Sequence, residues 1–439
     1  MADHRLVARL PELPKDKEFE EYTSACFQAS GYYIERNIIE RAPVEVLELD
    51  IITTDYSVRP PEVRLLEAKS GGWGFADLFK VRGWMDYLGL SQGMFIASKG
   101  KDNIDLFAEK AERLGISLVV IPSLTQSRQV LSAFMDTAAI DSLDVSMWRF
   151  SYWVERNLLR RLKDSKKTCP NMKRYKAMDD YYFAVSSGIF FTESIVQKVD
   201  ELYSAFQEFP RISAKCGHEI MGDDFDGDHK TVPKSVFEDT YYDCSYTDVQ
   251  ISTFVEHRAR LAILKNAVDY KLYRSAGLDN ETDSVSELLG LSFVKLFDLL
   301  PTSFQQGLES ISKDEYFHRY PVFWQWFLWV FGGFILKDYE EKEYEILSNK
   351  TGVPVDEIPN ALQAYQALFP RDDGWFVDLP HSSVRVMKIC PVPFMGVGAN
   401  YRALLYTESG QLSALDLSGE YTLNDLIKWN NLGVSVLQG

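Results

Sequence analysis

The feature that most constrains this chain is the ordered alternation of β-type and helix-type patterns in its first 125 residues. Lys15 to Ser30 places Phe19, Tyr22, Ala25, Cys26 and Ala29 on one helical face, with Gly31 as a stop. Tyr32 to Arg36, Val44 to Thr54 and Glu62 to Lys69 are β-rich or alternating runs, and Pro60-Pro61 breaks the chain between the last two. Gly74 to Leu90 then reads as an amphipathic helix and Gly93 to Ser98 as a strand. Asn103 to Leu114 follows as a helix closed by Gly115, and Ile116 to Ile121 as a final strand. The order αβββαβαβ predicts a compact α/β unit with a mixed sheet over residues 1–125.

Beyond Pro122 the pattern lengthens. Helices are expected over 130–137, 147–162, 181–209, 247–273 and 285–300, and strands over 383–390, 401–407 and 411–417, with Glu408-Ser-Gly410 as a hairpin turn. The apolar run Val322 to Leu336 spans 15 residues and includes Gln325 and two glycines. It falls short of the about 20 residues a bilayer requires, so it is expected as a buried core helix. With 439 residues, and roughly 100 to 200 residues per domain, two or three units fit. The expected division is an α/β domain at 1–125, a mainly helical domain at 126–340 and an α+β region at 341–439. No apolar segment precedes Lys15-Asp-Lys-Glu18, and the five cysteines are scattered. A cytoplasmic protein with reduced thiols and no membrane contact is expected.

Within the sheet region one residue stands out chemically. Asp50 lies in the apolar run Val44 to Ile52, where a carboxylate needs a partner or a cation. Seventeen residues later, Glu67 and Lys69 share one face of a strand, with Ala68 turned away. If the two runs pair, Asp50, Glu67 and Lys69 converge. A hard divalent cation such as Mg²⁺ would then relieve the repulsion between the two carboxylates. Such a site suits phosphodiester hydrolysis, with Lys69 orienting or deprotonating a water or stabilising charge on the phosphate. Glu20, on the first helix, is a fourth candidate that reaches the metal directly or through water.

Asp50 followed by Glu67-Ala-Lys69, within that element order, resembles the PD-(D/E)xK nuclease superfamily, the restriction-endonuclease-like fold. Phe19-Glu20 with Gly31-Tyr32, and the closing run Leu106 to Leu118, are similar to Mrr-type restriction endonuclease domains. The resemblance covers about the first 120 residues. It implies a Mg²⁺- or Mn²⁺-dependent endonuclease acting on nucleic acid, principally DNA, in a prokaryotic restriction or defence setting, with a partner protein or a homo-oligomer possible. Leu49 stands where such motifs often carry proline. Where many relatives place a Gln on the following helix, this chain has Lys80, Arg82 and Trp84. Lys80 and Arg82 are candidate phosphate contacts.

Other signals point less sharply. Net charge is −17, with 47 basic against 64 acidic residues, which excludes a diffuse coating of nucleic acid. Against that background Arg156 to Lys176 gathers nine basic residues and one acidic residue. Arg156, Arg160 and Lys163 share a helical face suited to phosphate or simply to solvent. Cys216, His218, His229 and Cys244 lack zinc-ligand spacing, and Gly222 to His229 matches a calcium loop only in composition. Tyr344 to Phe369 has a helix-turn-helix outline, but its second helix bears Asp356 and Glu357 and no cation, so packing is expected. The stripe Phe323, Trp324, Trp326, Phe327 and Trp329 is expected in the core. The alternative to the enzyme is a non-catalytic nucleic-acid- or protein-binding assembly module built on a degenerate nuclease fold.

Overall fold

The computed structural model describes residues 5–9, 13–40, 47–135, 140–168, 246–277, 301–371, 374–378, 384–387, 392–406 and 412–416. The expected helices at 181–209 and 285–300, the Cys216/His218/His229/Cys244 group, the acidic run 222–229 and the basic residues beyond 168 lie outside them.

After β1 (Arg5–Arg9) come α1 (Lys17–Ala29), β2 (Tyr33–Glu40), β3 (Leu47–Asp55), β4 (Glu62–Lys69), α2 (Phe75–Leu88), β5 (Gly93–Ala97), α3 (Ile104–Arg113) and β6 (Ile116–Val120). From α1 onward this is the predicted αβββαβαβ order. Strands β2 to β6 form one sheet in sequence order, antiparallel across β2-β3-β4 and parallel across β4-β5-β6. Strand periodicity gives the sheet two apolar faces. Ile52, Leu65, Phe95 and Ala97 pack under Leu78, Val81 and Met85 of α2 and Ala111 of α3. Ile34, Ile51, Leu66 and Ile96 pack with α1 and continue into the helical region.

That region contains α4 (Leu124–Leu131), α5 (Ser142–Thr168), α6 (Tyr246–Ser275), α7 (Thr302–Ile311) and α8 (Tyr320–Trp329). It continues through β7 (Phe334–Leu336), α9 (Glu340–Thr351), α10 (Ile358–Leu368), β8 (Phe376–Asp378), β9 (Val384–Met387), α11 (Val392–Tyr406) and β10 (Leu412–Asp416). Strand β9 lies between β7 and β8 in an antiparallel sheet, and β10 pairs in parallel with β1.

Four expectations need adjusting. The helix expected over 130–137 lies earlier, at Leu124–Leu131, and the chain turns at 132–134. The run Val322 to Leu336 is buried as expected, but it is a helix followed by a strand. The helix ends at Trp329, and the chain turns into the strand through Gly332 at φ 73°, where a Cβ would stand 2.3 Å from the Phe394 carbonyl oxygen. Residues 401–406 are helical rather than a strand. Phe394, Val397 and Tyr401 are all buried at helical spacing, and that spacing prevails over the local alternation. The hairpin proposed at 408–410 lies outside the described residues, and β10 pairs with β1 instead. The helix pair α9 and α10 is a packing element: the Trp324 ring stacks on Tyr365 at 4.2 Å, and its Nε1 donates to the Ala361 carbonyl at 3.0 Å. Among the described residues no helix is long and apolar enough to cross a membrane.

Candidate active site

The β3-β4 ladder ends at the pair Ile51 and Leu66, so the next step sets Asp50 opposite Glu67 on the same side of the sheet. On its other edge Asp50 faces Asn37, where the β2-β3 ladder is interrupted and the backbone turns to φ 52°. At this point β3 has left β4, while its ladder with β2 skips one pair and resumes at Ile38 and Leu49. The Asp50 carboxylate replaces the missing backbone acceptor: the Ala68 N–H donates to Asp50 Oδ2 at 3.1 Å. β4 continues beyond the break because it remains paired with β5, through Glu67 to Phe95 and Lys69 to Ala97. The carboxylate, the Glu67 side chain and the Lys69 side chain therefore emerge together at the end of a splayed pair of strands.

They line a cavity of about 530 Å³ with Glu20, Lys17 and Asp16 from the start of α1, Glu48 from β3, and Lys80 and Trp84 from α2. Asp16, Glu20, Glu48, Asp50 and Glu67 outnumber Lys17, Lys69 and Lys80, leaving the cavity with an excess of negative charge. Asp50 and Glu67 stand close enough for one to hold a proton against the other. Burial, and then the Glu67 carboxylate, push Asp50 up to about 7. Burial also raises Glu67, with Lys80, Asp50 and Lys69 acting in the opposite direction. Glu20 is raised by burial and then by Asp50, which Lys17 partly offsets.

Each cation is held by named partners. Lys80 Nζ lies 3.6 Å from Glu67 Oε1 and 4.0 Å from the centroid of the Trp84 ring. Lys69 Nζ lies 3.6 Å from Asp77 Oδ1. Asp77 in turn accepts the Gly74 N–H at 2.7 Å, which fixes it at the first turn of α2. Lys17 donates to Glu20 Oε2 at 3.0 Å, Asn37 Oδ1 at 3.0 Å and Glu48 Oε1 at 3.2 Å. One acceptor is left over: Glu67 Oε2 is buried without a hydrogen-bond partner, on a residue only 4% exposed.

The structure thus brings together Asp50, Glu67, Lys69, Glu20 and Lys80. The remaining candidates are placed elsewhere. Arg82 projects from another side of α2, where it donates to the Leu114 carbonyl at 3.1 Å and pairs with Asp86. Arg156 joins α5 to α1 through Glu21 at 3.2 Å and Glu18 at 3.8 Å. Arg160 donates to Asn157 Oδ1 at 3.1 Å on its own helix. Lys163 lies in α5, and its side chain is outside the described residues.

Lys17 and Asp77 escaped the sequence reading. Each had a local signal: Lys17 is three residues before Glu20 on a helix, and Asp77 is three residues after a glycine N-cap.

Among the described residues no three His, Cys, Asp or Glu side chains are gathered tightly enough to cage an ion by themselves. A pair of carboxylates still fits a hard cation that keeps several waters and completes its shell with substrate oxygens, as Mg²⁺ does. The unpartnered buried oxygen of Glu67 is of the right donor type. No family model matches the chain, and no curated protein or solved structure is significantly similar to it.

Proposed function

We propose that this chain is a metal-dependent nuclease that hydrolyses phosphodiester bonds, with DNA as the principal substrate. The observation that carries the reading is the convergence of Asp50, Glu67 and Lys69 on one acidic cavity, at a break in the sheet that frees a carboxyl oxygen. Asp50 and Glu67 would hold Mg²⁺ or Mn²⁺, with Glu20 at the rim. The ion supplies charge neutralisation at the phosphoryl oxygens and a lowered pKa for a bound water.

The chain's own groups do the rest. Lys69, steadied by Asp77, presents its ammonium to the attacking water or to a phosphoryl oxygen on which charge accumulates. Lys80 offsets the Glu67 charge until a metal cation takes its place, which frees the ammonium for a phosphate. Lys17, which donates to Glu20 Oε2, partly offsets the rise that burial and Asp50 cause at that carboxyl. The element order, Asp50 and Glu67-Ala-Lys69 support membership of the PD-(D/E)xK superfamily in an Mrr-like branch. A role in prokaryotic restriction or antiviral defence, in the cytoplasm and with a partner protein, follows from that reading.

Incubation of the pure chain with linear, branched and single-stranded nucleic acids in Mg²⁺ or Mn²⁺ tests the proposal. Cutting should cease on chelation and fall by about 10²–10³-fold or more in Lys69→Ala, with folding retained. Undiminished cutting by the variant would reject the assignment. The alternative is a binding module on a degenerate nuclease fold, which the lack of a three-ligand cluster among the described residues favours. A Mn²⁺ titration separates the two, because only the enzyme should lose metal affinity in Asp50→Asn and Glu67→Gln.

A further inference from the structure

Helix α1 opens on a residue in an uncommon conformation. Asp16, its N-cap, has φ 49° and ψ −126°, a combination that glycine takes freely and an L-residue holds only where its surroundings enforce it. Aspartate is favoured at an N-cap because its carboxylate accepts free N–H groups of the first turn. Here the side chain makes no such bond. Neither the backbone nor capping therefore accounts for an aspartate at this position. Its polar groups turn to the end of β4 instead. The Asp16 N–H donates to Ser70 Oγ at 2.7 Å, and the Ser70 hydroxyl donates back to Asp16 Oδ1 at 3.2 Å. Both residues line the cavity.

The two bonds join elements that carry different members of the site. On one side the Asp16 carbonyl accepts the N–H groups of Phe19 at 2.9 Å and Glu20 at 3.2 Å, so its placement sets the turn that holds Glu20. On the other, Ser70 directly follows Lys69. The Ser98 hydroxyl donates to the Ser70 carbonyl at 3.0 Å, and the Ser98 N–H to the Lys69 carbonyl at 2.9 Å, which fixes this stretch on β5. We propose that Asp16 is a positioning residue: through Ser70 it clasps the first turn of α1 to the end of β4 and holds Glu20 in the cavity with Asp50 and Glu67. The inference rests on the nuclease reading for the ion that these carboxylates meet. Asp50 and Glu67 stand on paired strands, so sheet register already sets them against each other. Glu20 comes from a separate element and needs a link of its own. Lys17 orients its carboxylate, whereas Asp16 fixes its backbone. A strained residue persists where its surroundings over-determine it, and the reciprocal pair with Ser70 supplies that constraint.

The test measures Mn²⁺ affinity of the full chain by electron paramagnetic resonance, beside hydrogen exchange of the segment 16–20 in EDTA. Glu20→Gln and Ser70→Ala should each weaken Mn²⁺ binding by about tenfold. The double variant should lose no more than either alone, because both changes remove the same ligand. Ser70→Thr keeps the hydroxyl and should restore binding. In EDTA, Ser70→Ala should speed exchange of 16–20 by about tenfold and leave the rest of α1 unchanged. Asp16→Gly should unfold at a higher urea concentration than the wild type, its strain relieved, and yet bind Mn²⁺ less well. Asp16→Asn keeps an acceptor for the Ser70 hydroxyl and should bind as the wild type does. Faster exchange in Ser70→Ala with no Mn²⁺ binding by any form would support the clasp while rejecting the nuclease reading. Additive losses in the double variant, full affinity or unchanged exchange in Ser70→Ala, or an equal loss in Asp16→Asn and Asp16→Gly would overturn the inference, the last by assigning Asp16 to the acidic field of the cavity alone.

Discussion

The sheet carries charged clusters at two places, built from the same residue types and finished differently. Between β2 and helices α5 and α6, Arg36 pairs with Glu155 at 2.9 Å, and Arg258 pairs with the other oxygen of the same carboxylate. Nearby, Lys265 lies 2.8 Å from Asp269 Oδ2, whose other oxygen accepts the Tyr56 hydroxyl at 2.6 Å. Burial alone would raise Glu155, yet Arg258 and Arg36 bring it below the ordinary carboxylate range. In the cavity the balance is reversed: Asp50 is pushed up to about 7, and Glu67 keeps an oxygen without a partner. In the first cluster three cations, Arg36, Arg258 and Lys265, face three carboxylates, Glu155, Asp269 and Glu35, although one Glu35 oxygen lies 3.6 Å from Lys265 without a hydrogen bond. The second is open, acidic and incomplete, which is how it awaits a cation. An excess of carboxylates around an open cavity, rather than the mere presence of acids and lysines, marks the site.

The comparison breaks most readily at Glu155. Glu155→Ala should leave the buried Arg36 and the half-buried Arg258 without their carboxylate and lower unfolding free energy by about 3–5 kcal/mol, measured by denaturant titration. Asp50→Asn should move stability the other way, by about +1 kcal/mol at neutral pH, because it removes a repelled carboxylate while keeping an acceptor for the Ala68 N–H. It should also abolish cutting. If Asp50→Asn were as damaging to stability as Glu155→Ala, the cavity cluster would be a structural pair like the other, and the distinction would fail.

The sheet was legible because each strand and helix announced itself locally. The range Glu62–Lys69 is the same in sequence and structure, and an acid at position 50 within apolar neighbours marked the centre of the site. What could not be read depended on contacts far along the chain. The partners that draw Arg156 away from phosphate, Glu18 and Glu21, lie on a helix more than a hundred residues earlier. The break at Asn37 that releases Asp50 depends on strand pairing and on a positive φ that asparagine tolerates. Lys80 and Arg82 were grouped by proximity in sequence. Two residues along a helix turn the side chain by about 200°, so only one of them reaches the cavity. The segment 401–406 shows the same lesson in reverse: its short alternation resembled a strand until Phe394 and Val397 extended the buried face upstream.

A smaller effect sharpens the comparison where pairing fails without opening a cavity. At the loop between β3 and β4, Arg59 Nη2 lies 2.9 Å from His318 Nδ1, and Arg319 follows His318 in the chain. Burial first, and then Arg59 and Arg319, lower His318 to about 4, against its ordinary 6.5. The folded protein therefore refuses a proton that the unfolded chain accepts between those two values. Stability should be level above pH 6.5 with respect to this group, decline as pH falls from 6.5 toward 4 and change no further below that. Because the imidazole is only partly shielded from water, the loss should be about 1 kcal/mol rather than the full linkage value. His318→Gln should remove this component from a series of denaturation curves across that range. If the variant retains the same acid-dependent decline, the contact between the β3-β4 loop and the helical region is as well matched as the pairing at Glu155, and charge pairing does not fail there.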